Sequence, residues 1–231
     1  MPDMVVFGKG AGNGYPLAGL VTSRLLSDQF SAGPSYFNTF GGNNVACASG
    51  LAVLDVLAKE CLQDNSREVG QYLLHKLSDV KQAHPDVIGD VRGRGLFIGL
   101  EIVQTARSKA VSPGKAHWIK EQMKTLQVRL CLISTLLASG HDETICKCLE
   151  VLQVLMSADG VSGNVLKIKP PLVFTTQDAD ELVSKLEQVC SGCADHADAI
   201  QALNNALMSK FLRGHRAAGK YREELLRYHT D

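Results

Sequence analysis

The chain has 231 residues, 45% hydrophobic and 21% charged, the range of a soluble globular protein with room for one good core or two small ones. Lys and Arg together number 24, as do Asp and Glu, so no global field recruits nucleic acid or an anionic membrane. An anionic ligand must then be held locally. No charged start with an apolar signal core and no run of about 18 apolar residues occurs, so secretion and membrane spanning lack support.

In chain order, Met4 to Phe7 and Leu17 to Thr22 are short apolar runs on either side of a glycine-rich turn and predict two buried strands. From Asn43, a candidate cap, Val45, Ala46, Leu51, Val53, Leu54 and Leu57 keep helical spacing. A second helix is expected from Ser66, read as its N-cap, through Val69, Leu73, Leu74 and Leu77 to a stop before Pro85. Val87 to Val91 and Leu96 to Val103 predict two strands joined through a flexible, cationic bend at Arg92-Gly-Arg-Gly95. Ala116 to Leu126 is expected to be helical, Val154 to Ser157 and Val165 to Ile168 to be strands, with Pro170-Pro171 as a stop. A helix capped at Thr175 or Thr176 then runs to about Val189. Helices alternating with short strands predict an α/β or α+β chain with a boundary near Cys61 to Ser66.

Gly8-Lys9-Gly10-Ala-Gly12-Asn-Gly14 places one amine among glycines just after a strand, where backbone can approach a flat or anionic ligand closely. The spacing matches neither the GxxxxGK[ST] phosphate loop nor GxGxxG, so nucleotide binding loses ground. Taken alone, the segment is equally well a tight turn with an exposed lysine.

The seven cysteines are odd in number and scattered through helical patterns, which fits reduced thiols better than disulfides. Cys190-Ser-Gly-Cys193 has redox or half-zinc-site spacing, but no second pair completes it and no metal is expected.

Three separated motifs change the weight of the glycine turn: the Lys9 segment, Phe37-Asn-Thr39-Phe-Gly-Gly-Asn43, and Ile88-Gly-Asp-Val-Arg92-Gly-Arg-Gly95-Leu-Phe-Ile-Gly99-Leu-Glu101. In this order they resemble the class III aminotransferases, pyridoxal-phosphate (PLP) enzymes of fold type I. Val154-Leu-Met-Ser-Ala-Asp-Gly160 and Asn164-Val-Leu-Lys167-Ile-Lys169-Pro-Pro171 are similar to the family's phospho-lyases, which act on ethanolamine phosphate or 5-phosphohydroxylysine. The resemblance covers residues 1 to about 190.

It implies that Lys9 is the catalytic lysine bonded to the cofactor aldehyde, in a dry, cationic setting that lowers its pKa. It implies that Thr39 binds the cofactor phosphate of the neighbouring subunit in a homodimer. Many aminotransferases of this class carry Arg at the place of Lys167, to grip a substrate carboxylate. Lys is a point charge without that bidentate fork, which suits a substrate phosphate better. The expected activity is therefore β-elimination of phosphate from a small phosphorylated amine. The alternatives are transamination between an amino acid and an oxo-acid, or a noncatalytic fragment that pairs with a full-length subunit.

The family's phosphate cup, stacked ring and pyridine-nitrogen aspartate belong to a portion preceding the matched region, and Asp3 corresponds to a different family position. The expectation is thus an incomplete large domain over residues 1–62, impaired by truncation, followed by an α+β small domain over 63–190 and a helical or disordered tail over 191–231. Leu126-Gln-Val128 recurs as Leu152-Gln-Val154, and removing 128–153 restores the family's continuous pattern, so that segment is expected to be an insertion of retained noncoding sequence. It holds Cys131, His141, Cys146 and Cys148, with no reason to have ligand geometry. In the tail, Ile200, Leu203, Leu207 and Phe211 predict an apolar helix face, followed by the basic residues Lys210 to Arg227. The expected location is intracellular, mitochondrial by resemblance or cytoplasmic.

Overall fold

The computed structural model of the protein describes residues 2–33, 35–126, 156–206 and 209. The expected insertion 128–153, Val154, and the tail residues Leu207 and Lys210 to Arg227 lie outside these. The chain divides into two compact units, Met1–Gln63 and Asp64–Asp231. No described helix is long and apolar enough to cross a membrane.

In the first unit, β1 (Met4–Phe7) pairs antiparallel with β2 (Gly19–Thr22), in register from Met4 opposite Thr22 to Phe7 opposite Gly19. The ribbon closes around the glycine turn. Helix α1 (Arg24–Ser31) starts on Ser23, whose hydroxyl accepts from the Leu26 amide. Helix α2 (Asn44–Lys59) starts on Asn43, whose side-chain oxygen accepts from the Ala46 amide at 2.9 Å. The two strands are not buried as expected: every residue of β1 is exposed. A two-stranded ribbon has no second layer of its own to bury against, and only Gly12, Ala46 and Gly50 are buried among the described residues of this unit.

The second unit is built on a four-stranded antiparallel sheet of order β3-β4-β6-β5, comprising β3 (Ile88–Arg94), β4 (Phe97–Ile102), β5 (Ser157–Asp159) and β6 (Val165–Ile168). Strand alternation turns Ile98, Leu100, Ile102, Leu166 and Ile168 to one face. That face shares a buried core with α3 (Leu62–Ala83; Val69, Leu73, Leu77), α4 (Pro113–Thr125; Ala116, Ile119, Met123) and α5 (Thr176–Gly192; Ala179, Leu182, Leu186). At roughly 1.5–3 kcal/mol for each fully buried aliphatic side chain, this layer is what holds the unit together. Thr175 and Asp178 form a reciprocal capping box at the start of α5.

Two local expectations are corrected. Arg92-Gly-Arg94 is strand rather than a flexible bend, with Arg94 opposite Phe97 across a two-residue turn at Gly95-Leu96. Gly95 has a φ of 56°, and a Cβ on the facing Gly70 would lie 2.3 Å from the Gly95 backbone, so helix and turn touch main chain to main chain. Ser66 is not a cap, because α3 already begins at Leu62. Its hydroxyl instead accepts from the Leu96 amide at 3.3 Å and ties the helix to that turn.

Candidate active site

Lys9 opens a 3-10 turn, Lys9–Gly12, between β1 and β2, with its backbone in the left-handed region at φ 52°. Asn13 follows at φ 46°. The turn is held by its own ladder, Ala11 N to Gly8 O at 3.3 Å and Asn13 N to Gly10 O at 3.1 Å. From α2, the Ser49 hydroxyl donates to Gly12 O at 3.0 Å and pins the turn. A non-glycine residue at positive φ costs on the order of 1–2 kcal/mol and persists only where the surroundings impose it.

The turn forms one wall of a cavity of about 680 Å³, whose rim includes Tyr15, Asn38, Phe40 and Gly41. Among the described residues, nothing hydrogen-bonds or ion-pairs with the Lys9 amine. The expected dry, cationic setting is not what the first unit provides, because Lys9 is exposed. That unit buries too little to exclude water from the turn.

Thr39 sits on a loop built by side-chain-to-backbone bonds. Asn38 Oδ1 accepts from the amides of Phe40 at 3.1 Å and Gly41 at 2.9 Å, and Asn43 Nδ2 donates to Phe40 O at 2.9 Å. Its chain neighbours Asn38 and Phe40 both line the Lys9 cavity, while Thr39 itself is exposed and not hydrogen-bonded. Phe37 is 84% exposed and Phe40 82%.

The residues present fit the aldehyde end of pyridoxal phosphate, since the cavity offers a free primary amine beside glycine backbone and aromatic rims. Among the described residues, no carboxylate lines it to face a pyridine nitrogen. The Asp3 main chain is committed elsewhere, its carbonyl accepting from the Thr22 hydroxyl at 2.9 Å.

Lys167 belongs to the second unit, on the sheet face away from the helices. Strand register arranges that face in three rows. Asp90, Glu101, Val165 and Asp159 form one, and Arg92, Gly99, Lys167 and Ser157 the next. One step on from Ile98 opposite Ile168, Arg94, Phe97 and Lys169 form the third. Within it the Lys169 ammonium lies 5.9 Å from the Phe97 ring centre.

Cations thus gather at one end of the face and carboxylates at the other. Arg92 donates to Asp90 at 2.8 Å and Glu101 at 2.7 Å, and Lys167 donates to Asp159. The Lys167 hydrogen bond, helped by the Gly160 amide, holds the Asp159 carboxyl below its ordinary range. The reading of the sequence missed Asp159, Lys169 and Arg94. The signal that finds them is period-two spacing along β6 and β3, once the pairing of strands is known.

The chain matches the aminotransferase class-III family over residues 1–190. It is 41% identical over 187 residues to alanine–glyoxylate aminotransferase 2 homolog 2, mitochondrial, of Arabidopsis thaliana, covering 81% of this chain and 33% of that protein. It is 35% identical over 189 residues to ethanolamine-phosphate phospho-lyase homolog 1 of Caenorhabditis elegans, covering 82% and 35%. A phospholyase from Arthrobacter, solved in complex with phosphoethanolamine, superposes with a TM-score of 0.68 at 34% identity, over 83% of this chain and 39% of that one. The chain therefore spans about a third of the length of these curated relatives. An amine transaminase solved in its PLP-bound form is a further structural neighbour, with a TM-score of 0.62 at 27% identity. The fold is that of the fold type I PLP enzymes, and the family's cofactor is pyridoxal phosphate. On motif, match and fold together, this chain belongs to the class III aminotransferases.

Proposed function

We propose that the chain serves a pyridoxal-phosphate enzyme that eliminates phosphate from a small phosphorylated amine such as ethanolamine phosphate. The observation that carries this reading is the likeness to the phosphoethanolamine-bound phospholyase, joined to Lys167 at the position where many aminotransferases of the class carry an arginine that grips a substrate carboxylate.

Bound pyridoxal phosphate supplies an electron-withdrawing ring that stabilises negative charge at the carbon bearing the substrate nitrogen. Lys9 Nζ would hold the cofactor at its aldehyde end, and as a free amine it would take the proton from the substrate carbon that bears the nitrogen. Phosphate then leaves the adjacent carbon with the electron pair of its C–O bond. The unsaturated amine left behind takes up water to give an aldehyde and ammonia. The left-handed turn, pinned by Ser49, aims the Lys9 side chain into the cavity. Thr39 would hold the cofactor phosphate across a homodimer interface, a role supported by the exposed aromatic rings of Phe37 and Phe40 beside it.

Two other readings have an observation each. The Arabidopsis relative's name supports transamination of an amino acid with an oxo-acid. That no carboxylate among the described residues lines the Lys9 cavity supports a noncatalytic chain that pairs with a full-length subunit. The mitochondrial names of relatives support a mitochondrial location.

The test is to incubate the purified chain with pyridoxal phosphate, reduce with borohydride and map the modified peptide by mass spectrometry. Wild type is expected to carry the label on Lys9 and Lys9→Ala to carry none there. Equal labelling of other lysines in Lys9→Ala would remove the central assignment. Phosphate release from ethanolamine phosphate, rather than alanine-dependent amination of glyoxylate, separates lyase from transaminase.

A further inference from the structure

A cavity of about 590 Å³ lies wholly within the second unit, where the first turn of α4 meets the end of α5 and residues 197–201. Small-molecule sites occupy roughly 300–1,000 Å³, so its size is that of a ligand pocket. Ser112 lines it and is only 2% exposed, yet its hydroxyl has no hydrogen-bond partner among the described residues. It stands before α4 without capping it, and Asn204 Oδ1 takes the Gly114 amide instead. No unpartnered side-chain nitrogen or oxygen among the described residues is sealed from solvent, so the Ser112 hydroxyl opens onto the cavity. Buried hydroxyls are as a rule partnered, and the side left open here faces space for a ligand.

Lys115, in the first turn of the same helix, brings positive charge to the cavity wall. Its ammonium donates to the carbonyls of Asp86 at 2.7 Å, Val103 at 2.9 Å and Gln104 at 2.9 Å. Those carbonyls fix the side chain without neutralising it, and no carboxylate ion-pairs with it among the described residues. Asp86 turns its carboxylate to the Ala106 amide at 2.7 Å. The positive end of the α4 dipole adds to the same field. The rest of the wall is uncharged, with Val87, Ile200 and the Cys190 thiol, which burial keeps protonated.

We infer that this cavity binds a small monocarboxylate with an apolar body, the carboxylate accepting from the Ser112 hydroxyl near the Lys115 charge and the body lying against Val87 and Ile200. One uncompensated positive charge matches one negative charge. Phosphate fits less well, because the three ammonium hydrogens of Lys115 are already donated and one hydroxyl leaves most phosphate oxygens bare. The site is independent of the phospho-lyase reading, since every residue of it belongs to the second unit and none of it depends on Lys9.

The experiment titrates the full chain by calorimetry with hexanoate, acetate and inorganic phosphate in turn, in a buffer free of all three. Hexanoate is expected to bind once per chain and at least about tenfold more tightly than acetate, because its methylenes leave water. Phosphate at equal concentration should not displace it. Ser112→Ala is expected to weaken hexanoate at least about fivefold while leaving the denaturation midpoint unchanged, since the hydroxyl bonds nothing in the protein. Ala197→Phe, a substitution of an exposed residue at the rim, should block binding by filling the mouth.

Absence of saturable hexanoate binding overturns the site, as does unchanged affinity in Ser112→Ala or in Ala197→Phe. Acetate or phosphate binding as tightly as hexanoate overturns the ligand class. A lowered midpoint for Ser112→Ala would show that the hydroxyl serves the fold, and overturns its role in binding.

Discussion

Cys190 and Cys193 show how burial overrides a suggestive spacing. Both are buried near the end of α5, where desolvation pushes Cys190 up to about 12 and Cys193 up to about 11. Such thiols stay protonated near neutrality and are poor nucleophiles and poor metal ligands, whereas Cys47 and Cys61 are exposed. Brief alkylation of the native protein at pH 8 should therefore modify Cys47 and Cys61, with Cys190 and Cys193 reacting only after denaturation. Peptide mapping gives the answer, and early labelling of Cys190 would refute the burial. The same shifts set a sign for pH. The folded-state values lie above the ordinary value of 9.0, so the unfolded chain loses these protons first. Their contribution to stability is complete below pH 9 and falls away as pH rises toward 11 and 12.

At the scale of elements, the described residues just after the family match include a packed helix. Residues 197–206 are helical, designated α6, and run antiparallel to α4. His196 stacks on Trp118 with ring centres 5.1 Å apart, Ile200 is buried, and Asn204 reaches Gly114. The buried positions thus step by four from Ile200 to Asn204, with the exposed His196 one step before them, rather than through Leu203, which is only partly buried. Ser112 precedes α4 without making a side-chain cap, and Asn204 Oδ1 accepts from the Gly114 amide at 3.1 Å in its place. A Cβ on Gly114 would lie 2.3 Å from the Asn204 amide nitrogen, so the glycine is what admits the helix. Asn204→Ala leaves a buried donor without its partner and should cost about 1–2 kcal/mol. Gly114→Ala should cost more, because backbone must move. Chemical denaturation measures both, and unchanged midpoints would mean that α6 contributes nothing to stability.

For the whole molecule, the two units differ in how much they bury. The second holds the continuous core of α3, α4, α5 and the sheet. The first exposes Val6, Phe7, Leu20, Val21, Leu51 and Leu54. Apolar surface on this scale is what partner subunits or further chain cover in other proteins, which agrees with a match to about a third of the length of the relatives. Local stability follows burial, so hydrogen exchange should be slowest in β4, β6 and α5 and at least about a hundredfold faster in β1 and β2. Equal protection in both units would show that the first is covered in solution, by a second copy or another chain.

The sequence by itself determined the family, through motifs that resemble it, and the existence of most elements, and it supplied the expectations that Lys9 bonds the cofactor and that Lys167 suits a phosphate. The elements depend on local chemistry, periodic apolar residues and capping side chains at Asn43 and Thr175, while the site expectations come from the resemblance of the motifs. Only the tertiary structure decided that Ser66 ties to a turn instead of capping, that Asn204 caps a helix 90 residues upstream, and that Asp159 already engages Lys167 while Lys169 is left open. Each of these is a contact between residues far apart in the chain or on neighbouring strands. Spacing along a chain gives the face a residue occupies, whereas register and packing choose its neighbours.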